Sequence, residues 1–213
     1  MATATDARDR ILEAACDLIA AEGIDDVRIA RVATRAGAST ALVHHYFSTR
    51  EELLEQALAH SFDTVGEERF GERPAGEGAV ERLARVIRES LPEPGPQERD
   101  WVLWVELWLR AARDPELRPI AARLYGRYRD WLVDAIRAGV EDGTWSAEPE
   151  AVADHAIALF DGLGVRALLD DPAMGLERAR ENIAAILGRE LKVDPEALLR
   201  RPSGRARSSV AGR

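Results

Sequence analysis

Apolar residues recur along the chain at three- and four-residue spacing from Ile11 to Leu199, and no stretch alternates strictly. That period belongs to helices packed by one face, and it predicts an all-α fold of about nine helices. Ile11, Ala14, Ala15, Leu18 and Ile19 make one face of a first helix that stops at Gly23. Ile29, Val32, Ala33 and Ala36 mark a short second helix ended by Gly37. Ser39 then caps a short third helix whose Val43 and Phe47 face inward. Thr49 followed by Glu52 reads as a capping box opening a fourth helix through Leu53, Leu54, Ala57, Leu58 and Phe62, which fades between Gly66 and Gly71.

Pro74 to Gly78 is a breaker cluster, and a fifth helix follows through Val80, Leu83, Ala84 and Ile87. The sixth, from Trp101 to Ala112, is apolar on almost all sides and is expected to be deeply buried. Asp114-Pro115 reads as the start of a long seventh helix, with Gly139 and Gly143 closing it. Val152, Ala156, Leu159, Phe160 and Leu163 mark the eighth. Asp171-Pro172 is expected to start the ninth, through Ile183 and Leu187. His155 is expected to be a satisfied buried residue. The division expected is a helix-turn-helix domain over 1–55, a larger helical domain over 56–199, and a basic, disordered tail over 200–213.

The single cysteine, Cys16, excludes an internal disulfide and fits a reducing cytoplasm. The first residues lack the apolar run of a signal peptide, and no run of about 18 apolar residues predicts a membrane span. Nucleophile–base pairs, metal-ligand clusters and phosphate loops are all missing from the pattern, so neither an enzyme nor a cofactor is expected. His44-His45 is not a metal site, because adjacent helical residues diverge.

The second and third helices carry the chemistry. They are joined by Ala36-Gly37-Ala38-Ser39, the turn of a helix-turn-helix. The outward face of the third helix holds Thr40, His44, His45 and Tyr46, groups that suit a DNA major groove. Around this motif, Ile11-Leu12, Ala14-Ala15, Leu18-Ile19, Gly23-Ile24, Val32-Ala33, Ala36-Gly37-Ala38-Ser39, Val43-His44-His45-Tyr46-Phe47, Arg50-Glu51 and Leu53 stand in the register of one family. From Ile11 to Leu54 the chain resembles the N-terminal domain of TetR-family repressors. The phrase Ser39 to Phe47 is most similar to the choline/betaine-repressor (BetI-like) branch.

The resemblance implies a ligand-responsive repressor that works as a homodimer through its last two long helices. It implies a double-stranded, palindromic operator with two half-sites. By position it implies Arg28 and Ser39 near phosphates, and Thr40, Leu42 and His44 facing base edges. His45 and Tyr46 are implied at backbone or bases, and Arg50 at a phosphate. The departures are Ala41 where the family has Gly or Pro, and His44 where it commonly has Tyr.

Charge cuts against a DNA partner: the whole chain carries a net −9. Residues 1–55 hold six arginines and ten acids. Asp6, Asp9, Glu13 and Asp17 can face away from DNA on the first helix, and Thr40 to Phe47 contains no acid. A helical interaction module without DNA binding would explain the acidity, but not the polar short helix behind a capped Gly turn.

In the larger domain Trp101, Trp104 and Trp108 share one helical stripe, and Glu106 can pair with Arg110. Tyr125, Tyr128 and Trp131 lie on the next helix. These aromatic residues and Glu106 are the candidate lining of a small-molecule effector cavity, one suited to an organic cation. Asp161-Gly162-Leu163 resembles a phrase of the choline/betaine-repressor branch, where Gly164 and small alanines permit close helix approach.

Overall fold

A computed structural model describes residues 4–71, 74 and 76–200; of the tail over 200–213, only Arg200 lies within the described residues. The described residues form ten α-helices and no strand. They are α1 (Ala4–Glu22), α2 (Ile29–Arg35), α3 (Thr40–Tyr46), α4 (Arg50–Gly66), α5 (Ala79–Glu89), α6 (Pro96–Arg113), α7 (Arg118–Glu141), α8 (Pro149–Leu168), α9 (Leu176–Leu191) and α10 (Pro195–Leu199). No helix among them is long and apolar enough to cross a membrane.

Local chemistry moves several predicted boundaries. Asp114 does cap, accepting from the Glu116 N–H at 2.9 Å, but it opens a 3-10 turn over Pro115–Leu117 ahead of α7. Gly175, not Asp171-Pro172, precedes α9; the Asp171 carboxylate instead ties a turn by accepting from the Ala173 N–H. The capping box on α4 is split. Thr49 accepts from the Glu52 N–H at 3.0 Å, while Glu52 accepts in return from Ser48, one residue earlier. Beyond Gly66, α4 continues as a π-helical turn over Glu67–Gly71, where the apolar pattern had faded. Such turns inside or at the end of α-helices concentrate at functional sites.

Two apolar cores result. The first gathers Ile11, Leu12, Ile19, Val43, Phe47, Leu53, Leu54 and Leu58. It also takes in Leu103 and Leu107 of α6 and Leu124 of α7, so the N-terminal helices share a core with the helices behind them. The second gathers Leu83, Ile87, Leu132, Ile136, Phe160, Ile183 and Leu187 from α5 and α7–α9, with Trp145 from the loop between α7 and α8. The sixth helix is less buried than its composition implies: Trp104 and Trp108 are half-buried and Leu109 is 47% exposed. His155 is exposed rather than buried, and its Nδ1 lies 2.9 Å from Glu190 on α9. Cys16 is buried with its thiol donating to the Ala57 carbonyl, and burial pushes its pKa up to about 12, so it is inert at neutral pH.

Candidate functional site

The α2–α3 pair is built as its sequence predicts. Gly37 takes a φ of 62°, a left-handed conformation that a side chain resists, and this turns the chain between the helices. Ser39 caps α3 by accepting from the Leu42 N–H at 3.1 Å. Val43 and Phe47 are fully buried, which fixes the rotation of α3 about its axis. Thr40, His44 and His45 are then exposed, while Leu42 and Tyr46 are half-buried against the first core. The His45 and Tyr46 rings meet edge-on at 5.2 Å.

The two implied phosphate-binding arginines differ. Arg28 is exposed and donates to the Asp25 carbonyl at 2.7 Å. Arg50 is turned inward. It donates to the carbonyls of Val27 (2.7 Å), Ile24 (2.6 Å) and Asp25 (3.0 Å), strapping the turn before α2 to the start of α4. The position of Arg50 is therefore set by structure first.

The acids of the N-terminal helices are engaged as well as averted. Arg35 binds Asp17 at 2.8 Å, and Arg31 binds Glu22 through both carboxylate oxygens. These pairs fix Asp17 and Glu22 within the fold, but both arginines are among the six of residues 1–55, so the acid excess there is unchanged by them.

A cavity opens between the far end of α4, its π-helical turn, the end of α5, and α6–α8. Four of the predicted residues line it: Trp101, Trp104, Tyr128 and Trp131. Phe62, Phe70 and Phe160 complete the aromatic wall. Counted as room for the centres of water molecules, its volume is about 60 Å³. One water needs roughly 10–15 Å³ on that measure, so the space holds a handful of waters or a small ligand.

Glu106 is not on this wall. It lies two residues from both Trp104 and Trp108, on the opposite side of α6, and accepts from the Ile24 backbone instead. Arg110 turns to Asp25 at 3.5 Å. Trp108 and Tyr125 form a layer behind the cavity, their rings stacked within 9° at 6.4 Å. The Tyr125 hydroxyl donates to Asp161 at 2.7 Å.

The carboxylates of the cavity are Glu89, Asp100 and Asp161, none of which the apolar pattern singles out. Burial pushes the Asp161 carboxyl up, and the Tyr125 hydrogen bond only partly opposes this. Burial also pushes Asp100 up, against the pull of Arg69 at 2.5 Å. Among the described lining residues Arg69 is the one cation. It comes from the π-helical turn, where the sequence offered only a fading helix. Asp161 could have been noticed as an acid embedded in an apolar run, whereas Asp100 closes a polar stretch ahead of Trp101.

Two tryptophans reach the cavity because glycines make room. A Cβ on Gly164 would lie 2.3 Å from the Trp101 ring, and one on Gly66 would lie 2.3 Å from the Trp131 ring. Gly164 thus admits a cavity wall from α6.

Comparison with known proteins decides the family. The profile described as "BetI-type transcriptional repressor, C-terminal" matches residues 79–192, more than half of the chain. The profile "Bacterial regulatory proteins, tetR family" matches residues 11–57. The chain belongs to the TetR family, with a BetI-type C-terminal domain. It is a DNA-binding transcriptional regulator of the repressor type and not an enzyme. The regulator is 26% identical to the HTH-type transcriptional regulator BetI of Rhizobium meliloti over 80% of this chain and 82% of that one. It is 25% identical to BetI of Agrobacterium fabrum over 92% and 93%. A transcriptional regulator from Saccharomonospora viridis, solved in complex with choline, superposes with a TM-score of 0.76 at 28% identity, covering 88% of this chain and 98% of that one. A TetR-family regulator from Rhodococcus sp. superposes with a TM-score of 0.75 at 30% identity, covering 88% and 99%.

In this TetR-family regulator α6 touches both the cavity and the N-terminal helices. Asp100, Trp101 and Trp104 line the cavity. One residue earlier, Arg99 reaches α1, binding Glu13 at 2.8 Å and Asp17 at 3.3 Å. The His60 ring of α4, with Arg99, holds the Glu13 carboxyl at about 2 against the opposing effect of burial. At the other end, Glu106 and Arg110 reach the turn that Arg50 straps to α4. The helix that forms a cavity wall is thus held at both ends to the DNA-binding helices.

Proposed function

We propose that this regulator is a homodimeric repressor released from a palindromic operator by a small organic cation bound in the aromatic cavity. The carrying observation is the cavity itself, where, among the described residues, three carboxylates and seven aromatic side chains surround a small space with one internal cation. Aromatic faces and buried carboxylates attract a weakly hydrated cation, and a raised carboxyl gains most from one. The choline complex of the Saccharomonospora viridis regulator supports the same ligand class.

On the DNA side, residues 1–55 form the reading unit. Thr40, Leu42 and His44 face base edges, Arg28 and Ser39 lie near phosphates, and His45 and Tyr46 sit at the groove margin. Arg50 acts chiefly by holding the turn that carries Arg28. The remaining helices, over 56–199, bind effector and dimerise through α8 and α9. Leu169, just past the end of α8, is 73% exposed, which supports an apolar contact between protomers at that end. Effector and DNA favour different conformers, so each weakens the other by the same factor. With few free arginines, DNA binding should show a shallow salt dependence.

The test is calorimetric titration with choline, alongside a gel shift on duplexes selected from a random pool. Choline should bind and release the selected duplex. Its affinity should fall as pH drops, because a carboxyl raised by burial at Asp161 is protonated earlier on acidification and then no longer attracts a cation. Absence of binding by choline, tetramethylammonium and related small cations would sink the cationic reading.

A further inference from the structure

Arg69 is an unusual occupant for a cavity that favours a cation. Its guanidinium enters from the π-helical turn and binds Asp100 at 2.5 Å, with Glu89 4.0 Å from its Nε. Both partners of the Asp100 pair are largely withdrawn from solvent, at 18% and 12% side-chain exposure. The second Asp100 oxygen accepts from Ser61 at 3.4 Å. The Arg69 main chain is held independently of this pair. Its carbonyl accepts from Arg85, which is itself clamped on Glu77 at 2.7 and 2.9 Å. The side chain can therefore leave Asp100 without its backbone moving.

We infer that Arg69 is a tethered competitor of the effector, a resident cation that an incoming organic cation must displace from Asp100. The inference rests on reading the cavity as a cation site. A guanidinium is a weakly hydrated, delocalised cation, close in chemistry to a quaternary ammonium. While it is in place, Asp100 is neutralised and the attraction for a second cation is reduced. The fraction of time the site stands free then scales the apparent affinity directly. Arg69 thereby sets the concentration at which effector releases DNA. It also selects against neutral ligands, which cannot replace the charge that leaves.

The experiment compares the full chain with Arg69→Met and Arg69→Lys. Choline is titrated by calorimetry, and the choline concentration that halves operator binding is read by gel shift. Arg69→Met should bind choline about tenfold more tightly, as expected if Arg69 holds the site roughly nine-tenths of the time. The release concentration should fall in parallel. Arg69→Lys keeps the charge but loses the fork, and should lie between. Where choline binds the unsubstituted chain, equal or weaker binding in a folded Arg69→Met chain overturns the inference. If Arg69→Met does not fold, Arg69→Lys alone decides: a shift toward tighter binding supports the competitor, and no shift overturns it. Methylguanidinium supplies an arm independent of the natural effector. It should raise the thermal midpoint of Arg69→Ala saturably and leave the unsubstituted chain unmoved. That result together with no choline binding by any chain would retain the Arg69 inference and remove the proposed effector class. Choline binding that ignores the Arg69 substitutions would do the reverse.

Discussion

Around α1, carboxylates that face neighbouring helices meet arginines: Glu13 meets Arg99, Asp17 meets Arg99 and Arg35, and Glu22 meets Arg31. Around the cavity Arg69 pairs with Asp100 and lies 4.0 Å from Glu89, while Asp161 is met by the Tyr125 hydroxyl. Both regions are acidic by count, yet the two surpluses mean different things. At the DNA-binding end the acids of α1 are held in ion pairs on the side of neighbouring helices, with Arg99 of α6 offsetting part of the excess. In the cavity, burial raises Asp100 and Asp161, which is a standing cost unless a ligand cation relieves it. Net charge therefore cannot report on either partner.

The largest expected effect tests whether the two regions are mechanically one. Phe47 is fully buried at the base of α3. Phe47→Ala should destabilise by about 3–5 kcal/mol in urea titration. All five tryptophans lie from Trp101 onward. Their fluorescence should nevertheless shift together with the far-ultraviolet dichroism, because Leu103, Leu107 and Leu124 belong to the same core as Phe47. Two separated transitions would break that picture and make the regions independent.

Next comes Arg50, where expectation and structure part. Arg50→Ala removes three charge-assisted bonds to the turn before α2 and should cost roughly 1.5–3 kcal/mol of stability. DNA affinity should drop on every sequence alike, since the turn carries Arg28. Arg50→Lys should recover little, because an ammonium lacks the planar fork that reaches Val27 and Ile24 at once. A variant of unchanged stability with weakened DNA binding would instead return Arg50 to a simple phosphate contact.

What the sequence could disclose follows the range of the interactions involved. The α2–α3 unit is legible because its determinants are local: Gly37, Ser39 and the inward Val43 and Phe47 lie within eleven consecutive residues. Trp101, Trp104, Tyr128 and Trp131 were legible as helical stripes. The cavity's carboxylates were not, since Glu89, Asp100 and Asp161 come from three parts of the chain and only packing brings them together. Arg69 was hidden because a π-helical turn breaks the apolar period that locates helices. Glu106 misled because a carboxylate close in sequence to tryptophans points to the other face of α6.

A smaller effect probes the fit of the cavity wall. A Cβ at Gly164 would overlap the Trp101 ring, so Gly164→Ala should cost roughly 1–3 kcal/mol through overpacking. Choline affinity should weaken with it, as the displaced ring enters the cavity. Gly126→Ala is the control. Nothing lies within 4 Å of a Cβ there, and removing a mid-helix glycine should stabilise by about 0.5–1 kcal/mol. If Gly164→Ala behaved like Gly126→Ala, Trp101 would not be a fixed wall.

The smallest effect separates the two acidic regions by pH. Glu13 is lowered from 4.5 to about 2, first by the His60 hydrogen bond and then by Arg99. A carboxyl lowered on folding stabilises above its unfolded value and loses that contribution as pH falls through the folded one. Glu13 should therefore support the fold fully above about 4.5 and progressively less toward about 2. The Glu13 side chain is 42% exposed, so solvent screening keeps the neutral-pH effect of Glu13→Gln near that of a surface pair, about 0–1 kcal/mol. Its mark is the slope: the variant's thermal midpoint should fall less steeply than that of the unsubstituted chain across this window. Asp161→Asn should do the opposite in kind. A carboxyl raised on folding opposes the fold above its unfolded value, so the asparagine variant should gain stability toward neutral pH while losing choline affinity. Parallel pH profiles for the two variants would mean that the paired acids of α1 and the exposed-to-ligand acids of the cavity are not built on different electrostatic terms.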